Sequence, residues 1–261
     1  MEQKERMQFF YEIFDSSLPR LAPGDHASTR KALDMWLSAI PHHKGGPNST
    51  KLRVLDLGCG NGTQTIQLAK HLDATILAVD NHQPYLDELK RRAQAAGVSE
   101  KIRPYLRDMC DLGLKDDSFD LIWSEGAIYV MGFRKGLETC QRLLTPAGGL
   151  ALSELVWLRP DPPAECRQFF AEEYPVIVDN DTNLATIRDC GFEVLGHFSP
   201  PESAWLECYY TPIEDRLQSL EKMYSLDPER MNLIESIHRE IEIYRKYSRY
   251  YGYMFYIMQR R

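Results

Sequence analysis

One short segment concentrates the residues able to do chemistry. Val54-Leu55-Asp56-Leu57 is an apolar run holding a single acid, and it leads straight into Gly58-Cys59-Gly60-Asn61-Gly62-Thr63. Glycines let a ligand approach the backbone closely, and the start of a following helix offers unpaired N–H groups to an anionic group. A nucleotide-like ligand fits this pattern, and so does a tight strand-to-helix connection that needs positive φ. A dinucleotide fingerprint would place its third glycine where Thr63 stands. Asp56 is a second departure from that fingerprint. Two residues before the first glycine, a carboxylate suits a cationic amino group or ties the loop through backbone N–H bonds, whereas it repels a pyrophosphate. The ligand these residues predict is an amino acid–nucleoside conjugate.

Two further acids follow at the ends of apolar runs. Ile76-Leu77-Ala78-Val79 ends in Asp80, placed to accept bonds from both hydroxyls of a ribose, a device that dinucleotide sites also use. Arg107-Asp108-Met109 follows the run 102–106; there a carboxylate accepts a bond from an adenine amine while methionine packs on the ring. A surface aspartate ending a strand is the commoner case for any one of them. Three in strand order point together to one ligand.

These residues need a scaffold of alternating strands and helices. From residue 52 short apolar runs alternate with helical periodicity, the signature of a parallel α/β sheet covered on both faces. The pattern predicts strands at 52–57, 75–80, 101–106, 119–124, 148–155, 192–198 and 251–259, with helices at 62–72, 83–96, 133–144 and 181–190. Before them, helices are expected at 3–16 and 27–40, broken by Pro19 and Pro23, with a loop from Pro41 through His42 to Thr50. Residues 199–250 are far longer than a hairpin needs, so they read as an inserted helical cap with helices at 213–225 and 228–247. The proline- and aromatic-rich stretch 156–180 adds to the same cover.

Composition excludes several classes. A chain of 261 residues with net charge −7 has no basic face for a polyanion, and the C-terminal arginines are interleaved with Glu235, Glu240 and Glu242. No apolar stretch reaches the ~18 residues of a membrane span. The opening residues MEQKERMQFF lack the apolar core of a secretory signal, so a cytosolic location is expected. The six cysteines, Cys59, Cys110, Cys140, Cys166, Cys190 and Cys208, are scattered and read as reduced thiols. His42-His43 has no ligating company, and no metal is expected.

Taken together, the segment from Asp56 to Glu154 resembles the class I S-adenosylmethionine-dependent methyltransferases, and the order of elements extends the resemblance to about residue 260. The family's glycine-rich motif falls on Asp56, Gly58, Gly60 and Gly62, its ribose acid on Asp80 and its adenine-side acid on Asp108. The resemblance implies a Rossmann-like sheet of order 3-2-1-4-5-7-6 with the last strand antiparallel. It implies S-adenosylmethionine as cofactor, S-adenosylhomocysteine as product, and Asn61, Asn81, Met109, Ser124 and Glu125 among the cofactor contacts. It divides the chain into an N-terminal helical cover, 1–50, and a methyltransferase domain, 51–261, with the cap at about 199–250. Pro23-Gly24-Asp25 to Leu33, Ile122 to Tyr129 and Tyr251-Gly252-Tyr253 to Gln259 resemble a bacterial small-molecule subgroup.

Departures narrow the acceptor. After the fourth strand stands Ser124-Glu125-Gly126-Ala127, not the Asn/Asp-Pro-Pro-aromatic of DNA amino-methylases, and no Pro-Cys nucleophile occurs. Arginine methyltransferases pair Ser-Glu with a second nearby glutamate, to which Glu138 is a poor match. A small-molecule acceptor is therefore expected, with no nucleic acid or membrane partner, methylated by in-line displacement. Glu125 is a candidate base or acceptor-binding group, or a carboxylate holding its own loop or the cofactor. Tyr129 orients the acceptor or simply packs. Glu154 and Trp157 are candidates for the pocket wall. Tyr11 and Gly24 resemble the N-terminal cover over the cofactor, with Tyr11 as a cation–π partner of the sulfonium; His26 shuttles a proton or is solvated. Trp205, Tyr209 and Tyr210 line the acceptor site or form a homo-oligomer contact. Two other classes stand beside this one: a non-catalytic S-adenosylmethionine-binding regulator and an NAD-dependent oxidoreductase.

Overall fold

The computed structural model describes residues 2–39 and 51–261. Ile40, the loop 41–50 and the His42-His43 pair lie outside the described residues.

Every apolar run expected to be a strand is one. β1 (Leu52–Leu57), β2 (Ala74–Asp80), β3 (Ile102–Leu106), β4 (Phe119–Ser124) and β5 (Leu144–Trp157) pair parallel in the order β3-β2-β1-β4-β5. Beyond β5 lies β8 (Tyr251–Arg260) and then β7 (Phe192–Phe198), with β8 antiparallel to both. The family order holds once one short strand is counted: β6 (Val178–Asp179) pairs parallel with the end of β5. In this register Asp56 and Asp80 sit at or beside the carboxyl ends of adjacent central strands, the edge where open α/β sheets bind ligands.

β5 is 14 residues long because β8 runs beside it from Gly149 to Trp157. That pairing carries Glu154 past the end of β4, whose last partner on β5 is Leu152, and up under the cap.

Helices cover both faces. α2 (His26–Ala39), α3 (Thr63–His71) and α4 (Gln83–Ala95) pack one face, where Trp36, Leu68 and Leu89 are buried against Val54 and Ile76. α5 (Phe133–Leu143) and α7 (Asn180–Asp189) cover the other, with Leu137, Leu143 and Ile187 on Leu55 and Ile122. α7 starts where Asp179 accepts the Thr182 N–H at 2.8 Å.

A third cluster forms the cap. α1 (Gln3–Ile13) buries Phe9 and Ile13 there with α6 (Ala164–Glu173), α8 (Ser203–Trp205), α9 (Thr211–Met223) and α10 (Pro228–Tyr247). The two N-terminal helices thus serve different layers: α1 joins the cap and α2 the sheet. The periodicity misplaced three features. α1 ends three residues before the expected 16, because Asp15 accepts the Ser17 N–H at 2.9 Å and turns the chain. α6 inside 156–180 was not anticipated. The helix expected from 213 begins earlier, since a π-helical turn, Leu206–Tyr210, links α8 to α9 and offsets the 3.6-residue period. No helix among the described residues is long and apolar enough to cross a membrane.

Candidate active site

A cavity of about 430 Å³ opens over the carboxyl edge of β1, β2, β4 and β5, between the sheet and the cap. The glycine turn forms its floor. Gly58, Gly60 and Gly62 all take left-handed φ, at 68°, 52° and 83°. A Cβ on Gly58 would collide with that of Ala127, and one on Gly60 would stand 3.0 Å from Leu21. Gly62 does not reach the cavity; a side chain there would collide with Leu89 of α4. The close-packing role that a dinucleotide fingerprint gives to its third glycine is therefore filled one residue earlier, and Thr63 is free for another task.

That task is to hold the cover. Thr63 donates to the Pro19 carbonyl at 2.7 Å, and Asn61, which lines the cavity, donates to Leu18 O at 2.7 Å and Ser16 O at 3.1 Å. Arg92 of α4 reaches the carbonyls of Leu18 at 2.8 Å and Ser16 at 3.2 Å. Four successive carbonyls at 16–19 thus point at the glycine turn and α4, which closes the segment after α1 over the cavity.

The three aspartates diverge. Asp80 lines the cavity and accepts the N–H groups of Gly60 and His82, each at 2.9 Å; burial raises its carboxyl while those N–H groups pull it down. Neighbouring Asn81 is exposed on the same rim. Asp56 lies fully buried off the cavity, accepting from Thr65 Oγ at 2.6 Å and Gln64 at 3.4 Å, and burial pushes it up to about 7. It therefore fixes α3's first turn through side chains, where a backbone N–H bond or a ligand amine was expected. Asp108 is exposed, caps its own turn by accepting the Cys110 N–H at 2.8 Å, and does not line the cavity, although Arg107 and Met109 do.

Two cover residues also differ from expectation. Tyr11 stacks on His82 with ring centres 3.5 Å apart and stays off the cavity wall. Gly24 donates to Ala204 O at 3.2 Å, and the close approach it permits is that of Arg20, whose guanidinium lies 2.7 Å from where a Cβ would be. His26 is exposed at the start of α2; burial and Arg20 lower its pKa.

Arg20 was not foreseen. Buried and on the cavity wall, it forms an ion pair with Glu125 Oε2 while its Nη1 has no partner among the described residues. Glu125 Oε1 accepts Thr29 Oγ at 2.7 Å and Trp123 Nε1 at 2.8 Å. Three segments, the cover, α2 and β4, converge on this carboxylate and engage both of its oxygens, so it ties the cover to the sheet. Next to it Ser124 donates to Leu57 O at 3.0 Å and faces β1, away from the cavity.

Glu154, near the end of β5, has the opposite environment. It lines the cavity at 4% exposure, and its Oε1 accepts the Leu155 N–H at 3.0 Å and the Tyr174 hydroxyl at 2.9 Å. Oε2 is buried without a partner among the described residues, and burial pushes the carboxyl up to about 7. Tyr129, half exposed on the turn Ile128–Met131, meets Tyr174 edge-on at 6.1 Å. Its hydroxyl is raised by burial and by the charge of Glu154.

Tyr209 reaches the cavity from the cap; Trp157 and Trp205 do not. Trp157 packs edge-on to Phe170 at 5.2 Å, and Trp205 stacks on Tyr244 at 4.5 Å. Tyr210 donates to Glu240 at 2.9 Å. Glu240 of α10 lines the cavity, although its interleaving with the C-terminal arginines reads as a solvated face; no sequence signal marks it. All six cysteines are free thiols, and no group of acids, histidines and cysteines fit to hold a metal occurs among the described residues.

Comparison with known proteins adds a frame. A methyltransferase-domain family model matches residues 54–148. The chain is 27% identical over 190 residues, 70% of its length and 65% of the relative's, to 27-O-demethylrifamycin SV methyltransferase of Amycolatopsis mediterranei. It is 31% identical over 105 residues, 40% of its length, to methyltransferase GfsG of Streptomyces halstedii, of which it spans 38%. In both cases less than two-thirds of the relative is matched. A methyltransferase structure from Thiobacillus denitrificans in complex with S-adenosylhomocysteine superposes with TM-score 0.80 at 18% identity, over 97% of this chain and 98% of that one. At that identity the likeness establishes the fold.

Proposed function

We propose that the chain, whose residues 54–148 match a methyltransferase-domain family model, is a class I S-adenosylmethionine-dependent methyltransferase that methylates a small-molecule nucleophile held in the cavity against Glu154. The residues present fit the cofactor at each of its parts. Gly58 and Gly60 leave a cradle that side chains would fill. Arg20 Nη1 is a buried donor without a partner on the cavity wall, suited to the carboxylate of an amino acid moiety. Asp80, held by two N–H groups, keeps lone pairs for ribose hydroxyls, and Met109 supplies a face for adenine. Asp108, capped into its own turn, stays off the cavity wall, so the adenine side falls to Met109. Bound there, S-adenosylmethionine supplies an electrophilic methyl carbon on a positively charged sulfur, and in-line displacement leaves S-adenosylhomocysteine.

The protein's own contribution is to orient and to move a proton. The 16–19 clasp and the Arg20–Glu125 pair hold the cover over the cavity. Orientation in a closed site is worth as much as ~7–11 kcal/mol. Glu154 accepts the proton of an acceptor that arrives protonated, and Tyr129, across from Tyr174, orients it. The observation that carries this reading is the buried, unpartnered Oε2 of Glu154 in the same cavity as the glycine cradle. The free thiols suit a reducing compartment and support cytosolic action.

Calorimetry with S-adenosylhomocysteine and with NAD tests the ligand. Binding of the first is expected, and binding of NAD alone overturns the assignment. Incubation with labelled S-adenosylmethionine and a cell metabolite extract, read by mass spectrometry, then tests transfer. Tight cofactor binding with no labelled product from a broad extract would favour a non-catalytic regulator.

A further inference from the structure

A second cavity of about 250 Å³ adjoins the acceptor end of the first. The two share walls that include Pro23, Leu155, Tyr174, Tyr209, Glu240 and Tyr253. Its remaining walls are largely aromatic, with Phe169 and Phe170 from α6, Trp205 from α8 and Tyr251 from β8. Glu173 and Ser236 at its edge are exposed, so it opens to solvent between α6 and α10. Tyr251 is 2% exposed and its hydroxyl has no partner among the described residues. Together with Oε2 of Glu154, two buried polar atoms therefore await a ligand on one continuous set of walls.

The charges around these walls have one sign. Glu154, Glu173 and Glu240 contribute to the lining, and among the described residues no Lys, Arg or His lines the second cavity. The two arginines of the first cavity are placed otherwise. Arg20 is paired with Glu125, and Arg107 donates to Asp111 O at 2.6 Å and Asp111 Oδ2 at 2.9 Å. On α10, Arg239 pairs with Glu172 at 3.5 Å and Lys246 with Glu165, both on its exposed side. A carboxylate or phosphate on the acceptor would meet uncompensated negative charge, whereas a cation meets attraction and the faces of tyrosine and tryptophan.

We propose that the acceptor is a hydrophobic amine. Its ammonium nitrogen lies against Oε2 of Glu154, its apolar body passes Tyr209 and Tyr253 into the aromatic chamber, and the Tyr251 hydroxyl takes a polar atom of that body. One proton passes from the ammonium to Glu154, which leaves the nitrogen lone pair free as the nucleophile. The proposal rests on the methyl-transfer reading and names its substrate class.

The test is calorimetry on the full-length protein saturated with S-adenosylhomocysteine, with a series of arylalkyl amines such as tryptamine and phenethylamine against their carboxylate counterparts, such as indole-3-propionate. Amines are expected to bind at least about tenfold more tightly than the matched carboxylates. Glu154→Gln and Glu240→Gln should each reduce that preference, with S-adenosylhomocysteine affinity retained as the control for folding. Equal affinity for the two series, tighter binding of the carboxylates, or no binding of any amine by the loaded protein overturns the proposal and leaves the methyl-transfer reading standing. Failure to bind S-adenosylhomocysteine itself would instead overturn that reading.

Discussion

Glu125 and Glu154 stand near the ends of neighbouring strands, both buried and both on the wall of one cavity. Glu125 has every oxygen engaged, by an arginine from the cover, a threonine from α2 and a tryptophan from β4. Glu154 has one oxygen engaged and one without a partner. Position on the strand is alike; saturation differs. A carboxylate engaged in this way is a fastener, since loss of its arginine leaves a buried charge uncompensated. A half-free one has a proton to gain and a ligand to meet, at a raised pKa that suits proton transfer near neutrality.

The comparison breaks most readily at Glu154. Glu154→Gln keeps the shape and removes the proton acceptor, so turnover with an acceptor found in the extract screen should fall by ~10²–10⁴-fold. Cofactor affinity and unfolding midpoint should stay close to those of the parent chain. Unchanged turnover in this variant would place the proton acceptor elsewhere. Arg20→Ala tests the fastener. It strands Glu125 among Thr29 and Trp123, and denaturant unfolding should show a loss of about 3–5 kcal/mol. Cofactor affinity should fall with it, because Arg20 also offers Nη1 to the cavity. A loss under 1 kcal/mol would show that the pair contributes little. Asp80→Ala comes next: loss of the ribose contacts should weaken S-adenosylhomocysteine by ~10–100-fold, equivalent to the ~1.5–3 kcal/mol of hydrogen bonds to a charged group. Unchanged affinity would remove Asp80 from the ribose.

The contrast explains what was legible in the sequence. Strands and their acids are readable because apolar runs and a strand-ending aspartate are local patterns, and the structure places Gly58, Gly60 and Asp80 on the cavity wall. The fates of Asp56 and Asp108 were not readable. Whether such a carboxylate faces a ligand or its own turn depends on a partner one turn away, such as Thr65 or the Cys110 N–H. Arg20 and Glu125 meet across 105 residues, and no window along the chain contains both. Glu240 carries the same composition signal as its exposed neighbours on α10; only Tyr210, brought against it by the π-helical turn, distinguishes it. Thr63 was legible as a departure from the dinucleotide pattern, but its grip on Pro19 follows from the cover's path. α6 was hidden by the prolines before it and by a burial that α10 and β8 supply.

The smallest expected effect is also the most discriminating. Tyr174 donates its hydroxyl to Oε1 of Glu154 and so favours the ionised carboxylate against the burial that raises it to about 7. The other groups around this carboxylate are the Leu155 N–H, which also lowers it, and the hydroxyls of Tyr129 and Tyr253, which feel the charges of Glu154 and Glu240. A base must be ionised to work, so turnover should rise with pH through about 7 and level off above it. Tyr174→Phe removes one donor to the charged form, worth ~0.5–1.5 kcal/mol, and should move the midpoint upward by up to ~1 unit. The sign fixes where the loss appears: turnover drops several-fold on the acid side of the midpoint and hardly at all at pH ~9, where the carboxylate is ionised in both proteins. A comparable substitution beside the saturated carboxylate, Thr29→Val, should cost stability without moving the midpoint. A shifted profile in Thr29→Val and an unshifted one in Tyr174→Phe would reverse the roles assigned to the two glutamates.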